Sequence, residues 1–596
     1  MRKIRRPFTQ NLLPRVLLIA IISTASSPPL MSLPKDLSAC PQVANYVIDV
    51  TLDPEDHTLS GRERLRWTNT TDFPAEELWF HLYWNAFQNN KSTFLKEGRE
   101  RWGRIFRKNR KQDWGFCRVD AIRVTDVFPF SEADLKPGMR FRHPDDDNVH
   151  DQTVFSVRLP QPVMPGRTIE LLIEFHARVP RPIHRTGVHK DYYFIAQWFP
   201  KIGVFEEGRW NCHQFHATSN FYADFGTYDV RITLPSSFVV GATGELKENR
   251  ENPDGTTIHR FYQQSVHDFA WTASPHFRKH VTEVTLPSGR RTRVILLLQP
   301  YHAHLKQRYE TAVIRALRAC SAWYGEYPYA TVTCVDPAYN SRSGGMEYPT
   351  LFTAGAYFLA PEGVPRPEGV TIHEFGHGYF YGLVATNEFE YAWMDEGFTS
   401  FLDSEVYYSA YGPPFYSRTY FGIPVRFKEV RIPVESSGIS RHRQTYDRDV
   451  MQNVTWHFLD RASYGAQSYA KAELMLRTLK RFIGKDLFAQ MIKAYSLRYW
   501  FQHPRPEDFF SVVSEFCGRD MRPFLIPFVY ASEKLDYSVG SITNIPIPPP
   551  QGWFGDRYVS SSTEEADSRL YRSEVLVRRL GGMKVPVEIL VTFEDG

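Results

Sequence analysis

The chain has 596 residues, more than one hydrophobic core can organise, so two to four domains are expected. Apolar residues at 42%, charged residues at 23% and aromatics at 15% exclude long disordered stretches. The 71 basic and 67 acidic residues leave a net charge of +4, which excludes the broad basic field of a nucleic-acid-binding protein.

Residues 1–26 read as an export signal, with Arg2, Lys3, Arg5 and Arg6 before an apolar stretch from Val16 to Ile22 and the small residues Ser23-Thr24-Ala25. The expected destination is periplasmic, extracellular or membrane-anchored, the last through an uncleaved signal acting as a membrane tether. Arg5-Arg6 also fits a twin-arginine signal. Leu37-Ser38-Ala39-Cys40 has the form of a lipidation box, but Lys35 and Asp36 interrupt the approach to it. The six cysteines have no C-x-x-C spacing, which excludes a cysteine zinc knot.

From residue 40 to 285 short alternating runs, such as Tyr46 to Leu52 and Tyr228 to Leu234, are broken by Gly, Pro, Asn and Asp and predict a β-sheet domain. The basic run from Lys96 to Gln112 reads as a solvated loop face, with contact to acidic lipid or polymer as the alternative. From 286 to 537 the period becomes helical. Helices are expected over Tyr309–Tyr324, Val370–Val384, Glu396–Tyr411, Ala470–Phe482 and Leu487–Trp500, with Gly412 and Gly484 at stops. Residues 538–570 read as a Pro-rich and polar linker, and 571–596 as a short or truncated β segment. Within it, Val575–Arg578 and Val585–Phe593 read as a strand pair around Gly581-Gly582.

The chemistry concentrates in His373-Glu374-Phe375-Gly376-His377. Histidines four apart project from one helix face and can share a tetrahedral metal, with Glu374 as general base. Nineteen residues beyond His377, Glu396 supplies a third ligand; two histidines and one carboxylate leave a coordination position open, as in catalytic zinc. One zinc per chain is expected. The competing reading of Glu396 is a solvated acid favoured by a helix start.

The arrangement H-E-x-x-H, eighteen residues, then E within Trp393-Met394-Asp395-Glu396-Gly397-Phe398 resembles the aminopeptidase N family of zinc exopeptidases. Gly344-Gly345-Met346-Glu347-Tyr348 is similar to that family's G-x-M-E-N segment, Gln197 to its Gln/Glu position, and Tyr469-Ala470-Lys471-Ala472 to its tyrosine motif. The likeness runs from about Val43 to Val539. It implies a multidomain α+β protein: an N-terminal β-sheet saddle, a thermolysin-like, mainly helical catalytic domain and a short C-terminal β extension forming part of a sandwich.

It also implies an aminopeptidase acting on peptides with a free N-terminus. Tyr469 would stabilise the oxyanion, with Tyr464 as the nearby alternative, and Glu347 with Gln197 would bind the substrate ammonium beside Gly344, Gly345 and Met346. Tyr348 and Asp395 depart from the family's usual asparagines. The rival readings are an endopeptidase or epoxide hydrolase on the same zinc, and a non-catalytic scaffold on a peptidase fold.

Overall fold

The computed structural model describes residues 36–102, 110–125, 130–181, 185–357, 359–420, 423–433, 436–445, 447–560, 571–587 and 589–591. The expected export signal lies outside them. The chain forms two compact units, one within 31–522 and one at 523–596. It is a multidomain α+β protein, β-rich first and helical after.

The dominant sheet has eight strands, in the order Glu245–Glu251, Thr256–Val266, Gly226–Pro235, Ala44–Asp53, Thr58–Thr68, Thr168–Arg178, Phe116–Val124 and Ala133–Asp134. It is antiparallel except where Ala44–Asp53 runs parallel to Gly226–Pro235, with Tyr46 opposite Tyr228. Strict alternation explains its one-sided burial. In Thr168–Arg178 the residues Ile169, Leu171, Ile173, Phe175 and Ala177 are buried and those between them only half-buried. Each large apolar side chain in that row contributes about 1.5–3 kcal/mol.

Helix α1 (Thr93–Trp102) rises from this part of the chain, so the basic run begins on a helix and not on a loop. Its buried Phe94 and Leu95 anchor it, and those two residues are too few to show a helical stripe in the sequence. Cys40 is buried at the edge of the same domain.

A five-stranded sheet then leads into the helical part, in the order Arg278–Thr285, Arg291–Leu298, Thr331–Val335, Leu351–Thr353 and Met346–Tyr348. Its first strand lies before residue 286, so the sheet begins ahead of the expected change of period. The short strand Met346–Tyr348 forms one edge. The helices are α2 (Lys306–Tyr324), α3 (Glu368–Phe380), α4 (Ala392–Tyr411), α5 (Ser436–Thr445), α6 (Arg461–Tyr464), α7 (Ala472–Ile483), α8 (Lys485–Tyr499), α9 (Pro506–Cys517) and α10 (Arg522–Tyr530). A π-helical turn, Gly465–Lys471, joins α6 to α7. Gly412 and Gly484 follow α4 and α7 at positive φ, where a side chain would be strained.

Among the described residues no helix is long and apolar enough to cross a membrane. Five of the six cysteines are buried, and all six are free thiols.

In the C-terminal unit Tyr571–Arg579 pairs with Tyr537–Pro546, and Gly552–Phe554 with Arg557–Val559. Strands therefore occupy part of the segment read as a linker. Residues 585–591 form no strand in the described part, and Leu590 is 91% exposed. The Gly581-Gly582 pair is not a hairpin turn between strands. The amides of Leu580 and Gly581 both donate to the Asp536 carbonyl, and a Cβ at Gly581 would lie 1.9 Å from the Lys534 oxygen.

Candidate metal centre

Helix α3 is held at both ends before it contributes any chemistry. At its start Arg308 grips Glu368 with two hydrogen bonds of 2.5 and 2.6 Å and also donates to the carbonyls of Ala360, Val364 and Arg366. Glu368 thus places its negative charge on the positive end of the helix dipole. Along the helix Phe380 packs on Phe398 of α4 with ring centroids 5.1 Å apart, and Phe398 packs edge-on against Phe509 of α9 at 5.0 Å. Gly376 lets α4 approach, because a Cβ there would sit 3.0–3.1 Å from Leu402 and Thr399.

That packing brings three donor atoms together. His373 Nε2 lies 3.2 Å from His377 Nε2 and 3.6 Å from Glu396 Oε2, and His377 Nε2 lies 3.4 Å from the same oxygen. A tetrahedral ion with bonds of about 2.0–2.1 Å requires ligand atoms about 3.3–3.4 Å apart, so the triangle fits zinc. Glu396 Oε2 is buried with no hydrogen-bond partner, as expected of an atom whose partner is a metal. The donor set, two imidazoles and one carboxylate, is that of a catalytic zinc.

The outer nitrogens are committed elsewhere. His373 Nδ1 lies 2.6 Å from Asp403 Oδ2, and His377 Nδ1 lies 2.7 Å from Asp395 Oδ1. Each carboxylate fixes the tautomer that leaves Nε2 free for the metal. Sequence reasoning had noted Asp395 only as a departure and did not single out Asp403. The available signal was their eight-residue spacing, which puts both on the face of α4 turned to α3. Asp395 and Glu388 are also neighbours. Burial holds both carboxyls well above the usual range, reinforced at Glu388 by the charge of Asp395 and at Asp395 by Glu396 and Glu347, while the hydrogen bond from Glu388 works to lower Asp395.

Glu374 is buried beside this triangle, with Oε2 unpartnered. Burial pushes its carboxyl up to about 8, a direction opposed by His373 and reinforced by Glu347. Gly345, at φ +72, allows the close approach of this base. A Cβ there would lie 3.2 Å from Glu374 Oε1. Gly344 and Met346 flank it, and Met346 is buried on the edge strand.

Tyr469 sits in the π-helical turn, donates its phenolic hydrogen to Glu396 Oε1 and stacks near His373 with centroids 6.1 Å apart. Burial and the Glu396 carboxylate keep this phenol protonated. Tyr464 meets Tyr469 edge-on at 5.9 Å. Glu347 is buried, and its carboxylate lies within 4.8 Å of donor atoms of His377 and Asp395.

Gln197 differs from expectation. Its amide nitrogen donates to Asp268 and its oxygen accepts from Lys201 Nζ at 2.7 Å, while Lys201 is 2.7 Å from Asp268 in an ion pair 1% exposed on each side. Both ends of the amide are therefore spent on a buried charge pair. The partners lie four and 71 residues away, and nothing in the local sequence announces them.

Residues 311–528 match the peptidase family M1 domain. The chain is 26% identical over 220 residues to leucine aminopeptidase 2 of Ajellomyces capsulatus (strain NAm1 / WU24), covering 36% of this chain and 32% of that protein. It is 24% identical over 155 residues to aminopeptidase N of Streptomyces lividans, covering 25% and 17%. The matched stretches thus span about a third or less of those relatives' own length.

In fold it resembles the M1 zinc metallopeptidase of Deinococcus radiodurans, with a TM-score of 0.55 and 16% identity over 82% of this chain and 94% of that one. Across residues 311–528 the chain is therefore similar to the peptidase family M1 domain.

Proposed function

We propose that the protein is a zinc aminopeptidase, hydrolysing the N-terminal bond of peptides that carry a free amine. The observation that carries this reading is the position of Glu347, an acid placed within 4.8 Å of donor atoms of a metal ligand and its supporting carboxylate. An acid so close to the reacting centre binds the substrate ammonium one residue from the cleaved bond and leaves no room for a further residue upstream. Glu347 serves this role without Gln197.

His373, His377 and Glu396 hold one zinc, which when bound supplies Lewis-acid polarisation of water and of the scissile carbonyl. Glu374, buried beside the ligand triangle with Oε2 unpartnered, accepts the proton of the attacking water and returns it to the leaving amine. Tyr469 turns its phenolic hydrogen from Glu396 to the oxygen that becomes negative in the tetrahedral intermediate. The edge strand Met346–Tyr348 offers its free backbone groups to the extended substrate.

Aminoacyl fluorogenic amides, free and N-acetylated, test this reading with the wild type and Glu374→Gln. Free-amine substrates are turned over and acetylated ones are not, and Glu374→Gln abolishes turnover. Equal rates on both substrate forms would sink the aminopeptidase assignment. Wild-type rates in Glu374→Gln would sink the role of the base.

A further inference from the structure

A cavity of about 640 Å³ opens beside the metal centre, with Tyr469 and Tyr464 in its wall. Four arginines converge on it from separate parts of the chain: Arg185, Arg366, Arg441 on α5 and Arg461 on α6. Among the described residues that line it, none is acidic. Arg366, Arg441 and Arg461 are exposed, and no described carboxylate pairs with any of them. Single unpaired surface arginines are common. Four around one cavity that also contains the expected oxyanion tyrosine form a local positive field, which low-dielectric walls focus.

Arg185 adds a stricter observation. Its Nε and Nη1 are buried with no hydrogen-bond partner, and its guanidinium lies over the Phe221 ring at 5.4 Å. Burial works to discharge it, but the charge of Glu347 opposes this most strongly and keeps it cationic. On the aminopeptidase reading, on which this inference rests, the substrate ammonium takes over Glu347. Arg185 then loses its strongest counter-charge, with Glu388 the other carboxyl acting on it, and keeps unsatisfied donors. A carboxylate arriving with the same substrate would restore both, and the planar fork of a guanidinium is shaped to receive one.

We infer that this cavity is a carboxylate subsite, and that the enzyme prefers peptides carrying a carboxylate close to the cleaved bond. Three sources supply that one chemistry: an acidic first residue, an acidic residue just downstream, and the free C-terminus of a very short peptide.

The test uses matched peptide pairs, one pair per source: Glu against Gln at the first residue, Glu against Gln downstream, and a free acid against a C-terminal amide. The kcat/KM ratio within each pair is measured for the wild type, Arg185→Gln and the double variant Arg441→Gln/Arg461→Gln. The double variant changes only exposed side chains, and its melting temperature confirms folding. In parallel, Kd values for the same pairs are measured by calorimetry with zinc-loaded Glu374→Gln.

At least one pair is expected to favour the carboxylate by about tenfold in kcat/KM and in Kd, with the kcat/KM preference falling below threefold in the double variant. Preferences below threefold in every pair, or a preference retained by both arginine variants, would overturn the subsite. If no free-amine peptide is cleaved at all, the aminopeptidase reading fails separately and the Kd ratios alone decide. Tighter binding of the carboxylate members then upholds the subsite, and equal binding overturns it.

Discussion

Gly397 stands immediately after the proposed ligand Glu396, and the structure shows what its missing side chain permits. A Cβ there would lie 2.2 Å from Ala472 Cβ and 3.0 Å from the Ser468 carbonyl oxygen. Carbon atoms in contact sit about 3.5–4.0 Å apart, so Gly397→Ala must push α4 away from the π-helical turn by about 1.3 Å or more. Overpacking of this kind costs about 1–3 kcal/mol. The local consequence is larger.

Glu396 moves with α4 while Tyr469 stays with the turn, and metal ligands tolerate displacements of only about 0.2 Å. Gly397→Ala is therefore expected to lower zinc affinity by about a hundredfold or more and the melting temperature by several degrees. Competition with a chromophoric chelator measures the first, and calorimetry of the zinc-free and zinc-loaded forms the second. A variant that keeps wild-type zinc affinity within threefold would refute the argument that this glycine sets the ligand position.

Asp403→Asn and Asp395→Asn each replace the carboxyl that orients a ligand imidazole, so each is expected to weaken zinc binding about tenfold to a hundredfold, read by the same competition. Lys201→Met leaves Asp268 buried without its cation and is expected to cost about 3–5 kcal/mol in urea unfolding, while the double change with Asp268→Leu recovers most of that loss.

His213 gives a pH prediction. Burial alone would lower its pKa, but hydrogen bonds to Asp145 at 2.7 Å and Glu390 at 3.2 Å override this and raise it to about 9. A raised histidine stabilises the fold in full below its unfolded value, about 6.5, and that contribution is lost as pH rises through about 9. Up to about 3 kcal/mol is involved. The melting-temperature gap between wild type and His213→Ala should narrow between pH 6.5 and 9.5, and a gap constant over that range would contradict the assignment.

The clustering of His373, His377 and Glu396 was legible because their geometry is local. Two histidines one turn apart share a helix face whatever surrounds them, and Glu396 follows within one helical hairpin. The sheet domain was legible for the same reason, since alternation such as that of Thr168–Arg178 is local. Tyr469 and Glu347 became visible only through the resemblance, because a π-helical turn and a three-residue edge strand leave no periodicity to read.

The charge pair that holds Gln197 went unread because Asp268 lies 71 residues away in the chain. The alternating Val585–Phe593 segment misled because alternation marks a strand only when another strand is there to pair with it. Helix α9 carried signals that went unread: Pro506 at its first position, Glu507 and Asp508 in its first turn, and Gly518 in the left-handed region after it. Arg185 and the arginine-lined cavity could not be read at all, since residues 185, 366, 441 and 461 meet only in three dimensions.

The central claim is tested most directly by zinc K-edge X-ray absorption on the purified protein. Two imidazoles and a carboxylate with further oxygen, at about 2.0–2.1 Å and in one zinc per chain, are the expected shell. A sulfur scatterer at about 2.3 Å, drawn from one of the free cysteines, or a protein that takes up no zinc would contradict it.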